Sequence, residues 1–195
     1  MGAILRRSLW LFFAVLCLVP AAPALQGNNP EAARLSAALR VEELLAGIEK
    51  QASEPGRRGS EAVVSESDLN AFIARRLEQE QDKYVKGLAL KLWPGNRVEG
   101  RLVLDLGSIP ALKGLAGLQE VLFNASFQTS EGKISIRMEK LMVGLQELSP
   151  LFLDVVIGLA SKFEGYEPVR LSDWHDLPKG VKGLESRSGR LIVRY

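Results

Sequence analysis

Asp173-Trp174-His175-Asp176 combines an imidazole with two carboxylates, and His175 is the only histidine among the 195 residues. A histidine beside acids could act as a general base or hold a metal ion. Adjacent residues, however, point to opposite faces of a strand or stand about 100° apart around a helix, so these neighbours do not converge on one atom. Zinc sites draw on several His or Cys ligands, and no second histidine exists to supply one. The expected structure here is a polar turn with a partly buried Trp174. Ser130-Glu131-Gly132-Lys133 has the S-x-x-K spacing of penicillin-recognising enzymes, a chemistry that needs a helix start and companion S-D-N and K-T-G elements. It lies instead between two alternating apolar runs, where a hairpin turn belongs. With no G-x-S-x-G, P-loop or G-x-G-x-x-G either, the expectation is a non-enzymatic protein without metal or cofactor.

The amino terminus bears on location. Arg6 and Arg7 precede Leu9 to Val19, eleven apolar residues, too few for a bilayer core that needs about 20. Ala22-Pro23-Ala24 supplies the small-x-small pattern of a signal peptidase site. The expectation is a signal peptide over 1–24 and a mature chain, periplasmic or secreted, with no transmembrane span. Cys17 follows Leu16, whereas a lipidation site needs a small residue there. Losing Arg6 and Arg7 with the leader takes the 25 basic residues to 23, equal to the 23 acidic ones. A balanced chain without a basic footprint argues against nucleic acid as a partner. The mature part also lacks cysteine, which excludes a disulfide framework and thiol catalysis.

Asn29-Pro30-Glu31 reads as a helix start, with Leu35, Ala38, Val41, Leu45, Ile48 and Ala52 recurring at three- and four-residue spacing behind it. Polar Ser53 to Ser60 reads as a linker, which divides the mature chain into a helix and linker over 25–60 and an α+β domain over 61–195. After a short apolar stretch at Ala62–Val64, Ser65-Glu66-Ser67-Asp68 caps a second helix with Leu69, Phe72, Ile73 and Leu77 on its buried stripe.

From Tyr84 the apolar period changes to two. A three-residue loop at Pro94-Gly95-Asn96 sets Leu92 opposite Val98, Leu90 opposite Gly100 and Leu88 opposite Leu102. The same register opposes Lys91 to Glu99 and Trp93 to Arg97, so an Arg97 contact on the Trp93 ring is expected. An apolar connection over Ile109 to Leu118 leads to a second hairpin, in which a four-residue loop, Thr129 to Gly132, pairs Phe127 with Ile134 and Ala125 with Ile136. Beyond Glu139-Lys140 the apolar phase moves to Leu141, Val143 and Leu145, the mark of a bulge or bend. Ser149-Pro150 then starts a helix over 151–163 that is apolar nearly all round. Strand-like segments around Val169–Leu171 and Val181–Leu184, a turn at Ser188-Gly189 and a last strand over Leu191–Tyr195 close the chain.

The fold class is thus α+β, an antiparallel, curved sheet built from hairpins and packed against two or three helices. Its apolar faces either cover one another as a dry core or leave an elongated groove for a lipid or other apolar small molecule. The candidate lining is Leu88, Leu90, Leu102 and Leu104 from the first hairpin, Phe123, Phe127, Ile134 and Ile136 from the second, and Phe152, Val156 and Leu159 from the apolar helix. With a dry core, the protein would be an envelope scaffold or assembly factor docking a protein partner through its first helix or a sheet edge.

Val64-Ser65-Glu66-Ser67-Asp68-Leu69-Asn70-Ala71-Phe72-Ile73 resembles the S-E-x-x-L-N-x-hydrophobic opening helix of small exported bacterial proteins related to the tubular lipid-binding (TULIP) superfamily. Leu177-Pro178-Lys179-Gly180-Val181 with Gly189-Arg190-Leu191-Ile192-Val193 is similar to the L-P-x-G-V…G-x-L-x-V ending of such proteins. The resemblance implies a sheet wrapped around a long helix and lipid binding without catalysis, with Asn70 a structural hydrogen-bonder.

Overall fold

The computed structural model describes residues 30–53, 59–105, 107, 117–163 and 169–195; the expected signal peptide, the Asn29 cap, most of the expected linker and most of the 109–118 connection lie outside them. The described chain is α+β. Three helices pack against antiparallel strands, the larger sheet being a strongly curled half-barrel.

β2 (Val85–Trp93) and β3 (Arg97–Asp105) pair in the expected register, Leu88 to Leu102, Leu90 to Gly100 and Leu92 to Val98. Gly95 and Asn96 close the loop at φ 80° and 59°, a conformation glycine and asparagine adopt at little cost. The cation over the Trp93 ring is not Arg97. Lys91 Nζ sits 4.5 Å from the ring centroid, while Arg97 Nε donates to Pro94 O. Neighbours two apart on one strand share a face, and Arg97 is drawn back onto its own turn.

β4 (Leu118–Ser130) and β5 (Lys133–Val143) differ from expectation at their loop, which holds two residues rather than four. Glu131 and Gly132 take φ 49° and 74°, the type I′ arrangement whose twist suits a hairpin. Pairing therefore runs on to Ser130–Lys133; Phe127 faces Ile136 rather than Ile134, and Ala125 faces Met138 rather than Ile136. A slip of an even number of positions keeps every side chain on its face. The bulge falls where the apolar phase changed, since Asn124 pairs Lys140 and Ala125 pairs Met138, leaving Glu139 over. Leu145 does not continue the apolar face, because Gly144 (φ 59°) turns the chain there into β6 (Gln146–Leu148) and leaves Leu145 fully exposed.

α1 (Pro30–Ala52) buries Ala38, Val41 and Ile48 of its expected stripe and half-buries Leu45, but leaves the two ends of the stripe, Leu35 and Ala52, exposed and adds Ala37. The reason is close packing on α2 (Glu66–Glu80), where Ala37 and Ala38 meet Ala71 and small side chains let the helices approach. Arg40 to Asp68 and Arg75 to Glu42 bridge the same interface at 2.5 and 3.1 Å. At its other end α1 leans on Gly180, where a Cβ would lie 2.8 Å from Ala52 Cβ and 2.9 Å from Ile48 O. Only glycine fits there.

β1 (Glu61–Ser65), β8 (Gly183–Arg187) and β9 (Arg190–Arg194) form a small sheet in the order β1-β9-β8. The expected strand at Val169–Leu171 is absent: Leu171 O accepts one bond from Ile136 N, and its own N–H goes to Asp154 rather than to a ladder. Pairing with β5 comes later, through β7 (His175–Asp176). On the outer face of the small sheet Glu185 accepts from Arg187 and Arg194. The Arg187 hydrogen bond leads in holding the Glu185 carboxylate below its ordinary range. That contribution is present above the unfolded carboxylate's pKa and is lost as pH falls through the folded one, and the half-exposed arginine partners keep it small.

α3 (Leu151–Phe163) is capped by Ser149, whose carbonyl accepts from Phe152 N. Leu153 and Val156 point into the barrel and are buried, while Leu151 and Val155 are 65% and 56% exposed on the opposite side.

Candidate functional site

The open edge of β2 is closed by side chains of α2, and this closure shapes the interior. Ser65 Oγ caps α2 by accepting from Asp68 N at 3.1 Å. One turn along, Asn70 treats the strand as a second strand would: its Nδ2 donates to Leu90 O and its Oδ1 accepts from Leu90 N, both at 2.7 Å. Glu66, four residues earlier on the same helix face, accepts from Leu92 N at 2.6 Å. Leu92 O takes the N–H of Gly189 from the β8–β9 turn. The expectation that Asn70 is a structural hydrogen-bonder holds, and Leu69 just before it points into the barrel. At the far end Thr129 Oγ1 bonds both N and O of Leu184, and Ser186 bonds Trp93 O and Asn96 Oδ1, tying the small sheet over the half-barrel.

Between the concave sheet, α2, α3 and the β8–β9 hairpin lies a cavity of about 160 Å³. Its wall is almost wholly apolar. Of the candidate lining residues, Leu90, Leu102, Leu104, Phe123, Phe127, Ile134, Ile136 and Val156 border it. Leu88, Phe152 and Leu159 do not: Leu88 is buried in the core beside it, and the other two are half-buried on the flanks of α3. Leu69, Ile73, Leu92, Val98, Leu153 and Ile157 join the wall, and all lay on apolar stripes visible in the sequence. Leu184 and Leu191, from the two terminal strands, also join it, brought there by the docking of that hairpin.

Phe123 occupies its place because β3 carries no side chain opposite. Gly100 pairs with Phe123, and a Cβ on it would lie 2.0 Å from the ring's Cζ. Gly100→Ala is therefore expected to drive the ring into the cavity at a cost of about 1–3 kcal/mol. Calorimetry should show a lower melting temperature, and uptake of an apolar dye should fall with it; unchanged uptake would mean that Phe123 does not define the bore.

His175 opens β7, and its ring reaches back to the turn before that strand. Its ring Nε2 lies 2.9 Å from Arg170 O, and Asp173 Oδ2 accepts from Arg170 N. Trp174 is about half exposed, so partly buried as expected. Ser130 to Lys133 forms the β4–β5 turn. Among the described residues no group of three or more His, Cys, Asp or Glu side chains could hold a metal ion, and no helix is long and apolar enough to cross a membrane.

No family model matches the chain, and no curated protein matches it significantly.

Proposed function

We propose that the protein is an exported, non-enzymatic carrier that binds an apolar ligand, in the lipid class, inside its half-barrel and shuttles it in the cell envelope. The observation that carries this is the cavity and its wall, in which Asp82, Tyr84 and Ser161 are the only ones with polar side chains among the described residues. A void of about 160 Å³ left empty costs about 4 kcal/mol at ~24 cal/mol per Å³. Apolar cavities of this order exclude water and take up apolar guests. A fold that maintains such a void through a dedicated edge closure gains that energy back when a ligand fills it. The resemblance of the Ser65–Asn70 and Leu177–Val181 segments to TULIP-related proteins points the same way.

Titration with Nile red tests the reading: one dye per chain is expected, with a blue-shifted emission displaced by long-chain lipid, and absence of binding by the folded chain overturns it. Export is tested separately. Amino-terminal sequencing of the protein from its native cell should begin at Leu25 in an envelope or secreted fraction, and an intact chain starting at Met1 in the cytosol would refute that part.

A specific observation favours a second reading, the envelope scaffold. Leu118 and Leu122 on the convex face of β4, and Leu145 at the neighbouring β5–β6 turn, are exposed, and apolar patches of this kind commonly mark protein contacts. In that version the cavity stays empty.

A further inference from the structure

The closure of the β2 edge by α2 stops one turn short. Helix and strand keep step along this edge, because four helical residues rise about 6 Å and two strand residues about 6.8 Å. Glu66 meets Leu92 and Asn70 meets Leu90, so the next helical partner in line, opposite Leu88, is Ala74. Alanine has no group to offer. Leu88 opposes Leu102 two positions from the Leu90–Gly100 pair, so its N–H and C=O point away from β3 as those of Leu90 do. Among the described residues neither meets a hydrogen-bond partner. Leu88 is only 8% exposed, and backbone groups left unpaired at such a depth are rare.

A cleft of about 510 Å³ borders this stretch of edge, and both Ala74 and Leu88 line it. Gly87 and Ala89, on the outer face of β2, keep it open by their small size. Arg34 of α1, Lys86 and Arg101 stand around it with Glu78 and Asp82. The Asp82 carboxylate is already matched by donors, since its Oδ1 accepts from the N–H groups of Tyr84 and Val85 at 2.7 and 2.6 Å. Three basic side chains therefore face one uncommitted acid, the exposed Glu78.

We propose that this cleft binds a short acidic peptide in extended form, one residue of which pairs with Leu88 as the Asn70 carboxamide pairs with Leu90. An extended residue presents its N–H and C=O to the same side and so supplies both bonds. A carboxylate has acceptors only and would set an oxygen against Leu88 O. Pairing is confined to one residue, because Asn70 already holds Leu90 and the strand is irregular between Val85 and Gly87. Acidic side chains on either side of that residue meet Arg34, Lys86 and Arg101. The cleft lies outside the half-barrel, and the proposal does not depend on the apolar-ligand function.

The test titrates the isotope-labelled mature chain with acetyl-Glu-Val-Glu-amide, acetyl-Lys-Val-Lys-amide and glutarate, following the Leu88 amide by nuclear magnetic resonance. The acidic peptide should shift that resonance saturably and bind roughly tenfold tighter than either the basic peptide or glutarate, which has charge without an amide. Ala74→Asn continues the ladder of α2 by one turn and places a carboxamide where the peptide would sit. It should slow solvent exchange of the Leu88 N–H by roughly tenfold and abolish peptide binding while the melting temperature holds. Should this variant fail to fold, Arg101→Glu, at an exposed site, takes its place and should weaken the acidic peptide severalfold. A Leu88 resonance unmoved by the acidic peptide overturns the site. Equal binding of the basic peptide or glutarate overturns the ligand class, and undiminished binding by folded Ala74→Asn overturns the pairing with Leu88.

Discussion

Leu102→Asp is expected to unfold the protein, while Leu90→Gln, two positions away in the β2–β3 register, leaves it folded but unable to hold its ligand. Leu102 is 5% exposed and belongs to the core as well as to the cavity wall. A carboxylate there loses the leucine's packing and is stranded without a partner, a cost of several kcal/mol against a total stability of about 5–15 kcal/mol. Leu90 is only half-buried and borders the cavity, so an amide at its tip keeps room to find water or a polar partner. Its cost should stay near 1–2 kcal/mol. Circular dichroism and Nile red binding on the two variants separate the effects. A Leu90→Gln protein that unfolds as completely as Leu102→Asp would mean that the whole face is a dry core.

Asn70→Ala should be the most damaging substitution among the polar residues. It leaves both Leu90 N–H and Leu90 C=O without their carboxamide partner at the edge of the sheet, and a buried group stripped of its bond costs about 1–3 kcal/mol. With Leu90 half-buried, water recovers part of this, so about 2–4 kcal/mol is expected. For a domain of this size that corresponds to a melting temperature lower by on the order of 10 °C. Glu66→Gln keeps a carbonyl acceptor for Leu92 N–H and should fall by much less. If Asn70→Ala melts with the wild type, α2 does not close the β2 edge.

The parts of the fold that could be read in the sequence are those fixed by local periodicity. The β2–β3 register followed from aligning Leu88, Leu90 and Leu92 with Val98, Gly100 and Leu102, because one face is buried and a single slip would expose it. The β4–β5 loop was misjudged because Glu131 takes a positive φ, which a residue other than Gly, Asn or Asp rarely signals. The burial of Ala37 in place of Leu35 depends on which small residues find a close neighbour; Ala37 packs with Ala38 against Ala71 on another element, and periodicity within α1 cannot rank it above Leu35. The cavity wall divides the same way. Its residues on the two long hairpins and the helices carry alternation or a stripe and Leu184 and Leu191 lie in expected strands, whereas the docking of those last strands and the turn that brings Asp82 depend on contacts that no local pattern marks.

Whether the half-barrel holds an apolar molecule is decided most directly by purifying the protein from its native envelope without detergent, extracting it with denaturing organic solvent and weighing the extract by mass spectrometry. The account predicts close to one long-chain apolar molecule per protein. Returning that molecule to the stripped protein should raise the melting temperature in proportion to the logarithm of its excess over the dissociation constant. A folded protein that yields no such molecule, and whose melting temperature is unmoved by added lipid, contradicts it.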